Sequence, residues 1–301
     1  MANISLGIIG FGEVGSIFGR GLKGKDGVQA VRAWDLKFEG SASEAPRAAA
    51  IADGITPTDG MASLCADSTL LISAVTASNT LAVAQEAAQH VRPGSIFLDL
   101  NSASPGTKQR AAAAIEAAGG QYVEAGVMTS VPPYGIEVPM LLGGPQASHL
   151  AITLNAWSMN AKAVSEKLGV ASAIKMSRSI MIKGLEALVI EAYTNARAYG
   201  VEDHVLPTLQ ETFPQIDWSR QGAYFFSRVV QHGKRRAEEM RESANTVKEA
   251  GFEPIMTSAI AEKQDWVASL ARDGVFHGLT GTSPWQEYAD RLLVQRNEKK
   301  S

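Results

Sequence analysis

The stretch "GIIGFGEVGSIFG", residues 7–19, decides how the first half of the chain folds. It continues the short apolar run "ISLGII" and ends in a segment with helical spacing, so it reads as strand, tight turn and helix start. Glycines stand at 10, 12 and 15. In this context the first glycine makes the turn, the second lets backbone approach a pyrophosphate, and the third lets helix and strand pack closely. The helix N-terminus then faces the phosphates.

A glycine triplet alone says little, and an acid at the right distance downstream says more. The next apolar run, "VQAVRAWD", ends on Asp35, about 20 residues past the motif, the spacing at which an acid grips the ribose of a dinucleotide. The expected cofactor contacts are Gly10, Phe11, Gly12, Glu13, Val14, Gly15 and Asp35. Val75 and Thr76, at the end of "STLLISAVT", are expected to join them. A carboxylate repels a 2′-phosphate, which favours NAD; Lys37 comes soon after and leaves NADP open.

Working outward, "STLLISAV", "SIFLDL", "QYVEAG" and "PMLLGG" are further strands, interleaved with the helices "TLAVAQEAAQHV" and "TKQRAAAAIEAAGG". Such alternation predicts a parallel α/β sheet covered on both faces. From Val170 onward no segment alternates like a strand. Helices are expected over 170–199, near 203–213, through "AYFFSRVVQHGKRRAEEMRESANTVKEAG" and through "IMTSAIAEKQDWVASLARDG". The expected architecture is an α/β Rossmann-like dinucleotide-binding domain, residues 1–168, and an all-α domain, residues 169–301, joined by a long interdomain helix. The terminal "RNEKKS" reads as a frayed polar tail.

Composition narrows the functional classes. The chain has 301 residues, 45% hydrophobic and 20% charged, with a formal net charge of −3. That balance argues against a nucleic-acid partner, which needs a basic surplus. A single cysteine, Cys65, cannot form an internal disulfide and suits a reducing compartment. No apolar run approaches the length of a membrane span, and the N-terminus lacks the cationic start of a signal peptide. A soluble cytoplasmic protein is expected.

The long helix poses a question of its own. Its opening, "KMSRSIMIKG" (175–184), carries three cations among apolar residues. Lys175, Ser179, Ile182, Lys183 and Glu186 fall within roughly a 100° arc. Either that arc faces water, or it lines a cleft holding an anion. A second cluster, His232, Arg235, Arg236 and Glu239, shares one helix face. It is either an exposed charged face or a pocket for a carboxylate or phosphate, suited to arginine's bidentate geometry. The remaining histidines, 90, 149, 204 and 277, show no metal-ligand spacing, so no metal is expected.

Four segments carry a resemblance over most of the chain. These are "GIIGFGEVG", "LDLNSASPGT", "YVEAGVMTSVPPYGIEVPMLLGG" and "KMSRSIMIKGLEALVIEAY". Together they resemble the β-hydroxyacid dehydrogenase superfamily, which includes 3-hydroxyisobutyrate and 6-phosphogluconate dehydrogenases; the helical half looks like a poorly characterised branch of it. The resemblance implies that Lys175 is the catalytic lysine and that Asn101 and Ser102 lie beside the nicotinamide. It places Met128, Thr129 and Ser130 where the family's Ser-Gly-Gly substrate loop stands, and Ser179 where the family has Asn. Lys183 stands where the phosphogluconate enzymes have a substrate-binding Tyr. Substrate contacts are therefore expected from Ser102, Met128, Thr129, Ser130, Ser179, Lys183, His232 and Arg236.

The implied activity is hydride transfer between a small anionic β-hydroxy acid and NAD, with Lys175 as general acid/base. A lysine suits that task when desolvated or set near other cations. An imine-type reductase on the same fold and a non-catalytic NAD-sensing protein are the alternatives. The resemblance also implies a homodimer or higher homo-oligomer, for which "AYFFSRVV" offers Tyr224, Phe225, Phe226, Val229 and Val230 as the contact surface.

Overall fold

The structure, a computed structural model, describes residues 3–298, without the side chains of 296–298. Its first half is one eight-stranded sheet: β1 (Ile4–Ile9), β2 (Val28–Trp34), β3 (Thr56–Pro57), β4 (Leu70–Ser73), β5 (Ile96–Asp99), β6 (Gln121–Val127), β7 (Pro139–Gly143) and β8 (Asn160–Ser165). The spatial order is β3-β2-β1-β4-β5-β6-β7-β8. The chain works outward from β1 in one direction, then returns to β4 on its other side. That reversal between β1 and β4 opens the crevice where ligands of doubly wound sheets bind, beyond the carboxyl ends of the strands.

Six helices accompany these strands: α1 (Glu13–Leu22), α2 (Glu44–Ala52), α3 (Met61–Ala66), α4 (Thr80–Ala88), α5 (Pro105–Ala117) and α6 (Ala147–Ala156). Alternation along β1 supplies both faces. Leu6 and Ile8 join Phe18, Leu98 and Leu142 in one buried cluster, and Ile9 joins Trp34, Leu71, Phe97 and Tyr122 in the other. A strand buried on both sides needs an apolar residue at nearly every position, which "ISLGII" supplies.

The expectation of an all-parallel sheet is corrected at its far edge. β7 runs antiparallel to β6, and β8 runs parallel to β7. The connection from Val127 to Pro139 holds only a short helical turn, Gly135–Glu137, and a parallel return needs a full crossover. The carboxyl ends of β1, β4 and β5 align in register, with Ile9 opposite Ser73 and Ser73 opposite Asp99, and Asp99 lies opposite Glu124 midway along β6.

The second half comprises α7 (Val170–Tyr199), α8 (Glu202–Thr212), α9 (Trp218–Glu249), α10 (Ile255–Arg272) and α11 (Trp285–Glu298). The chain divides into compact units of residues 1–177 and 178–301, the division falling inside α7. The second unit has its own core of Tyr193, Trp218, Phe226, Val229, Trp285 and Tyr288. This corrects the surface expected of "AYFFSRVV": Phe225, Phe226 and Val229 are buried in that core, and only Tyr224 is well exposed. The tail reading is corrected as well, because 296–298 continue α11; positions 299–301 lie outside the described residues. Among the described residues no helix is long and apolar enough to cross a membrane.

Candidate active site

The loop after β1 has the geometry its glycines predict. Gly10 adopts φ +87°, a left-handed conformation open to glycine. A Cβ on Gly15 would lie 1.9 Å from the Gly10 carbonyl oxygen, so α1 can approach β1 only without one. A Cβ on Gly12 would meet nothing within 4 Å, which leaves the backbone there open to a bulky neighbour. Phe11 and Val14 are half-buried, while Gly12 and Glu13 are exposed. Gly12 also caps α1 with no side-chain hydrogen bond to the first-turn amides. Open backbone and an uncapped helix start fit the pyrophosphate of a dinucleotide.

Asp35 is fixed against this loop. Its Oδ2 accepts the Phe11 amide at 2.7 Å and its Oδ1 accepts the Lys37 amide at 2.9 Å. The Phe11 N–H is therefore engaged within the protein. A carboxylate has about four acceptor sites, which leaves capacity for ribose hydroxyls.

Across the crevice, Asn101 is buried, and its amide is taken up by protein partners. Its Oδ1 accepts the Val75 N–H at 2.7 Å, and its Nδ2 donates to Ser73 Oγ at 2.9 Å. Asn101 thus shapes the Val75–Thr76 turn, in which Thr76 is exposed. Asp99 supports Asn101 in turn, accepting its backbone N–H at 2.8 Å. The fully buried Lys108 ammonium lies 2.9 Å from Asp99 Oδ1 and donates to the Asp99 carbonyl at 3.0 Å. Tyr122 donates to Asp99 Oδ2 at 2.5 Å. Burial, then the Asp99 charge beside it, push the Tyr122 hydroxyl well above its ordinary pKa, so it stays a donor.

Lys175 lies in the second turn of α7, half-buried, and its Nζ donates to Ser102 Oγ at 2.5 Å. The first unit therefore joins two residues 73 positions apart. Of the substrate-loop candidates, Met128 is tied to β7 by its N–H on the Pro139 carbonyl; it and Ser130 are half-buried, and Thr129 is exposed.

The second unit holds the remaining candidates, and there the expected anion receptors already have carboxylates. Buried Lys183 lies 2.7 Å from Glu239 Oε2 and donates to Ser179 Oγ at 3.2 Å. Buried Arg236 makes a two-pronged ion pair with Glu186, its Nε donating at 2.8 Å. Gln264 Nε2 donates to Glu186 as well, at 3.3 Å. Burial raises the Glu186 pKa, with Arg236 opposing the shift. Of the opening arc, Ser179, Lys183 and Glu186 are buried and Ile182 is exposed. An anion reaching Lys183 or Arg236 has to compete with a carboxylate in place. Arg235, exposed, sits 3.9 Å from Glu239, and His232 is half-buried on the same helix.

Lys108, Tyr122 and Glu124 were not among the sequence candidates. Each leaves a signal: a lysine in an Ala-rich helix one turn past its Ser104 cap, and polar groups inside the apolar strand "QYVEAGV". Among the described residues no group of three or more His, Cys, Asp or Glu is arranged to hold a metal ion.

Residues 5–149 match the model of the NAD binding domain of 6-phosphogluconate dehydrogenase, and residues 196–267 match a domain of unknown function, DUF1932. A conserved hypothetical protein of Sinorhizobium meliloti is 39% identical, with 97% of each chain covered and a TM-score of 0.77. A conserved protein of unknown function, described as structurally similar to 3-hydroxyacid dehydrogenases, is 31% identical over 89% of this chain and 98% of its own, TM-score 0.67. The fold alone is shared with Mycobacterium tuberculosis 3-hydroxyisobutyrate dehydrogenase with L-serine, at 15% identity, 97% and 99% coverage and TM-score 0.70. The same holds for an Aspergillus terreus reductive aminase in complex with NADPH and ethyl levulinate, at 17% identity, 97% and 99% coverage and TM-score 0.56. The chain belongs to the β-hydroxyacid dehydrogenase superfamily of NAD(P)-dependent oxidoreductases, with an NAD-binding domain followed by a helical C-terminal domain.

Proposed function

We propose that the protein is an NAD-dependent dehydrogenase acting on the hydroxyl of a small β-hydroxy acid, in either direction. The contact of Lys175 Nζ with Ser102 Oγ carries the reading, because it holds an amine and a hydroxyl together on the loop after β5. When bound, NAD supplies the hydride acceptor. Gly12 and the start of α1 would hold its pyrophosphate, with Gly10 and Gly15 shaping the turn, and Asp35 would accept from its ribose. Lys175, in its neutral form, takes the proton from the substrate hydroxyl and returns it in the reverse direction. Ser102 orients the amine, and Met128, Thr129 and Ser130 contact the rest of the substrate. Such acid–base help is typically worth about 10²–10⁴-fold in rate. Lys183 and Arg236, already paired with Glu239 and Glu186, are assigned to the helical unit and not to the substrate.

We further propose a homodimer, as the superfamily resemblance implies, formed through exposed Met181 and Leu188. These lie seven residues apart on one face of α7.

The test is NADH formation from a panel of β-hydroxy acids, repeated with NADP. Oxidation of at least one acid, with NAD used better than NADP, is expected. Reduction of imines with no hydroxy acid oxidised would replace this reading with the imine-reductase one. Better use of NADP would overturn the role given to Asp35.

A further inference from the structure

We propose that Glu124 is a positioning residue that holds Lys175 on Ser102 by capping the first turn of α7. Glu124 lies in β6 with its side chain fully buried. Its Oε1 accepts two backbone N–H groups, Gly169 at 2.8 Å and Ala171 at 3.0 Å. Its Oε2 is buried with no hydrogen-bond partner among the described residues. A helix N-terminus is the favourable place for such a group, because the first-turn amides lack partners and carry partial positive charge. The neighbouring strand makes room for it. Gly143 is its register partner on β7, and a Cβ there would lie 2.5 Å from Oε1.

The next residue on the same face of β6 is Gly126. A Cβ on it would meet the Ala171 carbonyl oxygen at 3.0 Å and Lys175 Cβ at 3.3 Å. Glu124 fixes the start of α7, and Gly126 lets its next turn lie close on the strand. Lys175 is one helical turn beyond Ala171, so it shares that seat. On β5 the register partner of Glu124 is Asp99, which accepts the Asn101 N–H and so seats the loop carrying Ser102. Two buried acids side by side in the sheet thus each hold one half of the Lys175–Ser102 contact. An apolar residue would fill a buried strand position without the desolvation cost of an acid. Capping accounts for the acid.

The inference rests on the acid/base reading of Lys175, and its test separates the two. Glu124→Met keeps the length and removes the acceptors, Glu124→Gln keeps one acceptor, and Glu124→Asp falls short of both amides. Hydrogen exchange at Gly169, Ala171 and the following turn should quicken by about 5–30-fold in the Met variant, as for loss of a helix cap. Modification of Lys175 by trinitrobenzenesulfonate, read by mass spectrometry against exposed Lys162 and Lys167, should rise in the Met and Asp variants. It should stay close to wild type in the Gln variant. On an oxidised hydroxy acid, Glu124→Met should lower kcat by about 10²-fold, as misplacement of a catalytic group does, and leave NAD affinity unchanged. It should add nothing in a Lys175→Met background.

A Lys175-to-control ratio that stays at the wild-type value in the Met and Asp variants overturns the proposal. If the Met variant does not fold, the Asp variant decides by the same ratio. If the ratio rises but the wild-type protein oxidises no hydroxy acid, Glu124 keeps its positioning role and the dehydrogenase reading falls.

Discussion

The first unit ties its buried charges to backbone as well as to one another, and the second ties them chiefly to one another. In the first, Asp99 accepts the Asn101 N–H, Lys108 donates to the Asp99 carbonyl, and Glu124 accepts the Gly169 and Ala171 amides. In the second, Arg236 pairs with Glu186 and Lys183 with Glu239, side chain to side chain between α7 and α9. A charge hydrogen-bonded to backbone fixes where a particular loop or helix end sits. A charge paired across helices fixes which helices adjoin, and leaves local backbone to the helical hydrogen bonds. The difference assigns the first set to site geometry and the second to assembly of the helical unit.

Arg236→Met should strain that division most. It leaves Glu186 buried without its main counter-ion, and breaking a buried pair in this way costs about 3–5 kcal/mol. Urea unfolding should show the loss in the second unit, with NAD binding to the first unit retained. The pH dependence has a definite sign. Burial already raises Glu186 above its ordinary 4.5, with Arg236 the chief opposing influence. Stability from a group with a raised folded pKa is present below the unfolded value and lost as pH rises through the folded one. Removing Arg236 raises the folded value further, so the variant should be least impaired in acid and lose stability progressively above about 4.5. A loss independent of pH would show that Glu186 is not what the arginine compensates.

The smallest expected effect on the fold comes from Leu188→Glu, an exposed position whose change should alter unfolding free energy by less than about 0.5 kcal/mol. Light scattering should nonetheless show half the mass of the wild-type dimer at micromolar concentration. A wild-type monomer at that concentration would contradict the proposed assembly.

The two regions also differ in how far they can be read from sequence. Gly10, Gly12 and Gly15 are legible because each answers a local backbone demand, and Asp35 because its place at the end of β2 is set by spacing. Lys175 is reachable through the resemblance alone, since helical periodicity places it on an arc without saying what faces it. The reversal of β7 is hidden because its connector looks like any loop until its lack of a crossover helix is counted. Two-residue β3, ending in Pro57, has too little pattern to register. The partners of Lys183 and Arg236 are hidden for a different reason. Glu239 and Glu186 lie 56 and 50 residues away along the chain, and helical spacing cannot report a contact between two helices. Glu124 is visible as an acid in an apolar strand, yet its meaning depends on amides 45 and 47 residues later.

The central claim is that Lys175 handles the substrate proton while the glycine loop and Asp35 hold the cofactor. Lys175→Met tests it most directly, because methionine keeps much of the stem's bulk and removes the ammonium. Steady-state kinetics on a hydroxy acid that the wild-type protein oxidises, together with an NAD titration, should show kcat reduced by about 10²–10⁴-fold and NAD affinity unchanged. A variant that keeps near-normal kcat on that substrate would contradict the account.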